Sequence, residues 1–132
     1  MSLPPPIDFN NSHNRSSNEL GEIPIVRSVY LAYAYWNELL LKFPKSQRYT
    51  LGTKCAECIL EILELVMTAA EHIDKTEKAK HLHSVNVKLD ILKLLVRLCK
   101  NCKCISNNAY LQMESQLQEI GRMLGGWLRS LK

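Results

Sequence analysis

The sequence predicts an all-α protein folded as an up-down-up-down four-helix bundle. All five prolines lie at or before Pro44, so the 88 residues after it contain none, which favours long helices over a β-sandwich with frequent turns. From residue 25 onward, apolar residues recur every three or four positions in four successive segments. With 132 residues, the chain is long enough for one core and too short for two domains of ordinary size.

The first helix is predicted to follow a tail. Residues 1–22 are rich in Pro, Ser and Asn and poor in apolar residues, so we expect them to be flexible and the bundle to span residues 23–132. Pro24 suits a first helical turn, and Pro44 stops the helix. The apolar stripe between them consists of Ile25, Val29, Tyr33, Trp36, Leu40 and Phe43.

Three further helices follow at short intervals. The second is predicted to open at Ser46 as N-cap, the third at a capping-box-like Asp74 to Glu77, and the fourth at Ser106 or Asn107. The stripe of the second is Leu51, Cys55, Ile59, Ile62, Val66, Ala69 and Ile73. The stripe of the third is Leu82, Val85, Leu89, Leu92, Val96 and Cys99, widened by Ile91, Leu95 and Leu98. The stripe of the fourth is Tyr110, Met113, Leu117, Ile120, Leu124, Trp127 and Leu131. Such helices with short connections pack as a bundle.

Composition excludes several classes of protein. Apolar residues make up 46% and charged residues 23%, which is close to the globular average and argues against wholesale disorder. The N-terminus lacks the basic and apolar regions of a secretory signal, and no apolar run approaches the length of a membrane span. We therefore expect a cytoplasmic protein that makes no use of a membrane.

The five cysteines invite a metal or redox interpretation. Cys55-x-x-Cys58 and Cys99-x-x-Cys102, with Cys104 nearby, superficially match a zinc site. Both pairs lie inside helical patterns, however, and Cys55 and Cys99 continue apolar stripes, so packing is the favoured interpretation. A thiolate enzyme would need a lowered thiol pKa that no neighbouring pattern indicates. Since no other catalytic or phosphate-binding motif is found, we expect neither catalysis nor a cofactor or metal.

Charge is segregated along the chain. Residues 75–103 hold eight basic and two acidic residues, whereas residues 46–74 hold two basic and five acidic ones. Lys93, Arg97 and Lys100, and to a lesser degree Lys103, are spaced to share one outward face of the third helix. This face is either an ordinary solvated surface or a footprint for nucleic-acid phosphates.

Four glycines lie inside helical patterns, at Gly52, Gly121, Gly125 and Gly126, and each costs about 1 kcal/mol relative to Ala. Close approach of another backbone would compensate, within the bundle or across a subunit interface, with Trp127 packing beside the gap. The alternative is a kink or a fraying end after Gly125.

Two stretches resemble a known family. Residues 43–52 (FPKSQRYTLG) and 119–129 (EIGRMLGGWLR) are similar to the four-helix-bundle family that contains the accessory variability determinant (Avd) of diversity-generating retroelements. That family also includes the proteins encoded within intervening sequences of bacterial 23S ribosomal RNA genes. The resemblance covers residues 25–131, and the long first stretch points to the Avd branch.

The resemblance implies a homopentameric barrel of bundles with a basic surface. It implies association with a reverse transcriptase and its template RNA, or DNA, in mutagenic cDNA synthesis, without catalysis by the accessory protein itself. Five chains at +4 each would carry a charge of about +20, enough to steer and hold polyanions. The alternative is a scaffold of the ribosomal intervening-sequence type that contacts proteins without binding nucleic acid.

Eight basic residues are expected to meet nucleic acid or reverse transcriptase: Lys42, Lys45, Arg48, Lys93, Arg97, Lys100, Arg122 and Arg129. The family stretches directly match only Lys45, Arg48, Arg122 and Arg129. Arg48 and Arg122 have an equally weighted structural alternative, in which they pair with Glu or cap a helix C-terminus. Where this chain has Cys99, Cys102 and Cys104, the family pattern implies Ala or larger aliphatic residues, which supports packing.

Overall fold

The computed structural model describes residues 23–132, and the predicted tail at 1–22 lies outside the described residues. The described part of the chain forms four long helices and no strand: α1 (Pro24–Leu40), α2 (Thr53–Glu71), α3 (Lys75–Asn101) and α4 (Asn107–Ser130). Helices α1 and α3 each pack against both α2 and α4. The prediction of an all-α four-helix bundle is confirmed. Assembly of bundles into a barrel stays a prediction.

The core follows the predicted stripes, most completely in α3, whose six stripe residues are all buried. Trp36, Ile59, Met113 and Leu117 are among the largest fully buried side chains. Within residues 23–132, no helix combines the length and the apolar character that crossing a membrane requires.

For three residues, the prediction that they belong to a core-facing apolar stripe is wrong. Ile73 is 97% exposed, because α2 ends at Glu71 and the chain turns to an extended conformation at His72. Ile91 and Leu98 do not widen the core stripe of α3 but lie exposed. At about 100° per residue, both fall on the side of the helix opposite Leu89 and Val96.

Two of the predicted N-caps are confirmed. Asp74 accepts a hydrogen bond from the Thr76 backbone N–H, and Ser106 accepts one from Ala109. Each satisfies a donor that has no partner within its own helix.

The predicted start of the second helix at Ser46 is wrong. The chain becomes helical at Lys45, directly after Pro44, without a side-chain cap. A helical turn, Lys45–Gln47, leads into a π-helical segment, Arg48–Gly52, and then into α2. The helical path is therefore nearly as long as predicted but contains a widened turn, which periodicity does not reveal.

Candidate nucleic-acid interface

An open groove of about 1200 Å³ lies at one end of the bundle, between the C-terminal end of α1 and the connection from α3 to α4. We call this the groove end. Three lysines line it: Lys42 from the segment after α1, Lys100 from the last turn of α3 and Lys103 from the connection to α4. Glu38 is its acidic member. The groove thus joins segments that are far apart in sequence.

The structure brings two of the eight predicted contact residues, Lys42 and Lys100, into this groove. The Lys100 Nζ lies 4.7 Å from the centre of the Tyr110 ring, a cation–π distance that places the ammonium against α4. Lys42 is exposed. Since a phosphate chain is recognised mainly by such ammonium groups, the groove is the best candidate for polyanion binding.

Lys103 is a groove residue that the predicted set of eight contact residues left out, although the spacing places it near the basic face of the third helix. Its φ of 62° is the only positive value for a non-glycine residue among residues 23–132. The Cys104 backbone N–H donates to the Cys99 carbonyl at 2.8 Å, and the Lys103 N–H to that of Lys100 at 3.0 Å, so Lys103 occupies the left-handed position that ends a helix. Glycine is the usual residue at such a position, so the lysine in the sequence gave no sign of this left-handed turn.

Lys93 and Arg97 continue the basic side of α3 away from the groove. Arg97 is exposed, and Lys93 is half-buried, with its Nζ near Gly121 of α4. The predicted shared face therefore exists and borders α4. Lys45 is also exposed, at the start of the helical turn after Pro44.

The Arg48 side chain forms hydrogen bonds within the protein, to the segment that follows α1. One guanidinium nitrogen donates to the carbonyls of Leu41 and Phe43, at 3.2 and 3.3 Å. It thereby covers carbonyls just beyond the C-terminal end of α1, as the structural alternative predicted. A contact of Arg48 with nucleic acid stays a prediction.

Arg122 and Arg129 lie far from the groove. Arg122 forms an ion pair and two hydrogen bonds with Glu119 of its own helix, and these hydrogen bonds lower the pKa of the Glu119 carboxyl. Arg129 follows Tyr110 by nineteen residues on α4, which corresponds to about 28 Å along the bundle from Lys100. The predicted set therefore does not form one site.

Gly52 is closely approached within the chain, but by side chains and not by another backbone as predicted. A Cβ added there would lie 2.5 Å from Leu40 Cδ2 and 3.1 Å from the Phe43 ring. The Trp36 indole Nε1–H donates to the Gly52 carbonyl at 2.9 Å. These contacts fix the corner between α1 and α2.

The glycines of α4 differ. A Cβ at Gly121 would meet Leu89 at 3.5 Å, an ordinary contact, and at Gly125 and Gly126 it would meet only Arg129. Helix α4 continues through Gly125 to Ser130 without a break. Trp127 is half-buried beside a second, apolar groove of about 450 Å³ that also includes Ile23 and Met123. A subunit contact at these glycines stays a prediction.

The cysteines are free thiols, and four of the five are buried. The Sγ atoms of Cys55 and Cys99 lie 3.9 Å apart across α2 and α3, so the sulfurs that meet belong to different CxxC pairs. The hydrogen bond between them and their burial raise the pKa of the Cys55 thiol. Packing thus accounts for all but the exposed Cys102. No group of three or more metal-ligating side chains occurs in the described part of the chain.

An exposed apolar stripe on α3 was missed. Val87, Ile91, Leu94 and Leu98 recur at steps of four, three and four on the side of the helix that faces away from the bundle. Leu94 is 65% exposed. We call these four residues the outer stripe. Its signal was present in the sequence, as a second helical periodicity offset from the core stripe.

Comparisons with known proteins agree with the two motif stretches. Comparison with curated proteins gave no significant match. The family described as bAvd-like matches residues 25–131, the same span as the predicted resemblance. The motif around Phe43–Gly52 forms the corner after α1, and the motif around Gly121 lies in the second half of α4. The chain therefore belongs to the bAvd-like family.

Proposed function

We propose that this chain is a non-catalytic accessory protein of a diversity-generating retroelement that binds reverse transcriptase and template RNA through a basic surface. The observation that carries the proposal is the family match over residues 25–131. The proposed RNA contact is the groove end, where Lys42, Lys100 and Lys103 converge. Each ammonium group that neutralises a phosphate releases a counterion, which favours binding at low salt.

The outer stripe supports self-association. A contiguous apolar face on an exposed helix is typical of a protein contact rather than of a monomer surface. Burying Ile91 and Leu94 against a second chain would remove apolar area from water. The family resemblance predicts that five chains assemble, which would multiply the charge presented to RNA.

RNA binding is tested by titrating the full chain with a fluorescent, uridine-rich single-stranded RNA at several salt concentrations. Replacing Lys42, Lys100 and Lys103 together by Gln is expected to lower affinity roughly tenfold or more, and to reduce the slope of log K against log salt by about 2.

The matched control removes the same charge elsewhere, by replacing Lys75, Lys80 and Lys132 with Gln. These residues are exposed and none lines the groove. We expect affinity within about twofold of the unchanged chain, because the lost charges lie outside the contact. Equal weakening by both triple variants would instead mean that net charge, and not the groove, governs binding.

Self-association is tested by light scattering of the purified chain. The variant with Ile91→Glu and Leu94→Glu is expected to be monomeric, because two carboxylates in an apolar interface are costly to desolvate. Leu31→Glu on α1 replaces a leucine of similar exposure outside the outer stripe and should leave the oligomer intact. A monomeric unchanged chain would exclude the assembly.

A protein-binding scaffold without nucleic-acid contact is the second candidate, and the outer stripe favours it. It predicts stable capture of the reverse transcriptase with no salt-dependent RNA binding. Measuring RNA binding and reverse transcriptase capture on the same preparation separates the two functions. The scaffold function predicts that added RNA gives no binding signal while the reverse transcriptase is still captured.

A further inference from the structure

Tyr49 is an exposed aromatic residue that neither the fold nor the proposed RNA groove explains. Its side chain is 75% exposed, in the π-helical segment between the turn at Lys45 and α2. Leu41, at the end of α1, is 78% exposed at the same corner of the bundle. A π-helical turn is rare and is frequently found at functional sites.

The corner that carries Tyr49 is held in place from several sides. The preceding residue, Arg48, bonds back to the Leu41 and Phe43 carbonyls, and its own carbonyl accepts a hydrogen bond from the Thr53 hydroxyl at 2.8 Å. At the other end of the segment, Gly52 is bonded to the buried Trp36. Tyr49 is thus an exposed ring on an ordered support, which lowers the entropy cost of binding a ligand to it.

The chain segment that carries Tyr49 is rich in basic residues and lies between Glu38 and Glu57. Residues 39–56 contain four basic residues, Lys42, Lys45, Arg48 and Lys54, and no acidic residue. Lys45 precedes Tyr49 by four residues, a spacing that places two side chains on neighbouring positions of a helical face.

This basic corner is continuous with the groove. Leu41 and Lys42 both line the groove, and the Leu41 carbonyl is one of the two that Arg48 holds. A strand whose phosphates follow the groove lysines would therefore reach the corner at Tyr49. Proteins that bind single-stranded nucleic acid combine these two elements, a basic path for the backbone and an aromatic ring for a base.

We propose that Tyr49 is a stacking platform for an unpaired nucleobase of a single-stranded nucleic acid whose phosphates lie in the lysine groove. This inference rests on the proposed RNA binding and adds to it the preference for unpaired strands. A paired base offers its face only to its neighbours in the stack, so a duplex cannot use the platform. The absence of acidic residues in the segment favours a polyanion over a protein partner here.

The experiment compares Tyr49→Ala and Tyr49→Phe by fluorescence anisotropy, with a uridine-rich single strand and with a fully paired, two-stranded RNA duplex that has no loop. Loss of one stacked base is expected to weaken single-strand binding by about fivefold to a hundredfold in Tyr49→Ala. Tyr49→Phe keeps the ring and should bind the single strand within about twofold of the unchanged chain, and affinity for the duplex should change little in either variant.

Leu41→Ala is the matched control, since it shortens an equally exposed side chain of the same corner without removing a ring, and we expect a smaller loss. Circular dichroism melting should be unaltered in Tyr49→Ala because the side chain is exposed. A direct readout is photocrosslinking of a 5-iodouridine strand, which should yield a crosslinked peptide containing Tyr49.

The outcomes separate the two proposals. If the unchanged chain binds the single strand and Tyr49→Ala binds it equally well, the stacking platform is excluded while the groove proposal stands. Equal weakening of single-strand and duplex binding also overturns stacking, because it indicates a contact with the nucleic-acid backbone. If Tyr49→Ala loses reverse transcriptase capture but not RNA, the corner is a protein contact. Absence of any RNA binding by the unchanged chain removes both proposals.

Discussion

Both ends of the bundle carry basic side chains, and the lysines at the two ends make different contacts. At the groove end, Lys42, Lys100 and Lys103 line an open groove. At the opposite end, the Lys78 Nζ donates to the Ala69 and Ala70 carbonyls at 3.3 and 3.4 Å and lies 6.0 Å from the Trp127 ring. The lysine there completes the C-terminal end of α2, where the helix dipole favours a cation.

The partner of each charge, more than the number of charges, therefore indicates which end is suited to a polyanion. A lysine that satisfies helix carbonyls must give up those bonds to reach a phosphate, whereas an exposed lysine such as Lys42 gives up its bound water. The same reasoning applies to Arg122, whose guanidinium already forms an ion pair with Glu119 on its own helix.

The largest expected effect concerns the corner that supports the groove end. Gly52→Ala places a methyl group against Leu40 and the buried Phe43 ring, and should destabilise the fold by about 1–3 kcal/mol through overpacking. Gly121→Ala is the matched control, because its Cβ meets only an ordinary contact, and should stabilise by up to about 1 kcal/mol. Urea denaturation measures the free energy of unfolding of both variants. Equal changes in Gly52→Ala and Gly121→Ala would contradict the prediction that only Gly52 is tightly packed.

At the opposite end, Lys78→Met removes the ammonium group and keeps most of the apolar stem. We expect a loss of about 1 kcal/mol in the free energy of unfolding, because two carbonyls at the end of α2 lose a charged donor. RNA affinity should stay within about twofold, since Lys78 lies outside the groove. A larger loss of affinity than that of the groove triple variant would reverse the comparison between the ends.

Lys103→Gly separates stability from binding at the groove end. Glycine adopts a φ of 62° without a Cβ penalty, so the variant should be more stable by about 1 kcal/mol. It should also bind RNA a few-fold more weakly, because one groove ammonium is lost. Thermal melting and RNA titration test the two effects together. A variant that gains stability with unchanged affinity would show that Lys103 takes no part in binding.

The smallest effect belongs to a lysine between the ends. The Lys88 Nζ and a Glu61 carboxyl oxygen lie 2.6 Å apart across α2 and α3, and this hydrogen bond lowers the pKa of the Glu61 carboxyl below its usual 4.5. Its contribution is present above pH 4.5 and is lost as the pH falls through the lower folded value. Carbon NMR titration should show the Glu61 pKa returning toward normal in Lys88→Met. A Glu61 pKa that is the same in Lys88→Met as in the unchanged chain would contradict the ion pair between Lys88 and Glu61.

Periodicity was sufficient for the bundle because each core residue of α3 is fixed by its own helical phase. Leu82, Leu89 and Val96 recur with the period of the helix, and all three are buried. Periodicity failed for Ile91 and Leu98, because α3 has apolar residues on two sides and the pattern alone does not show which side packs against the rest of the bundle. Packing against α2 and α4 made that choice.

The candidate site was less accessible to sequence reasoning. Lys42 and Lys100 were singled out separately, but 57 residues lie between them in the chain, and their convergence on one groove depends on how α1 and α3 are placed. Tyr49 carried no signal in composition or spacing, since an aromatic residue beside a predicted helix is as compatible with burial as with exposure.

Local patterns along the chain were sufficient to predict the four helices, most of their core-facing residues, the caps at Asp74 and Ser106 and the family, because these depend on contacts within a few residues or on motifs read directly from the chain. Which charges are already bonded within the protein, as at Arg48, and which line an open groove, as at Lys42, became clear from the packed fold. The reason is physical: whether a side chain is available to a ligand depends on neighbours that the fold brings from distant parts of the chain.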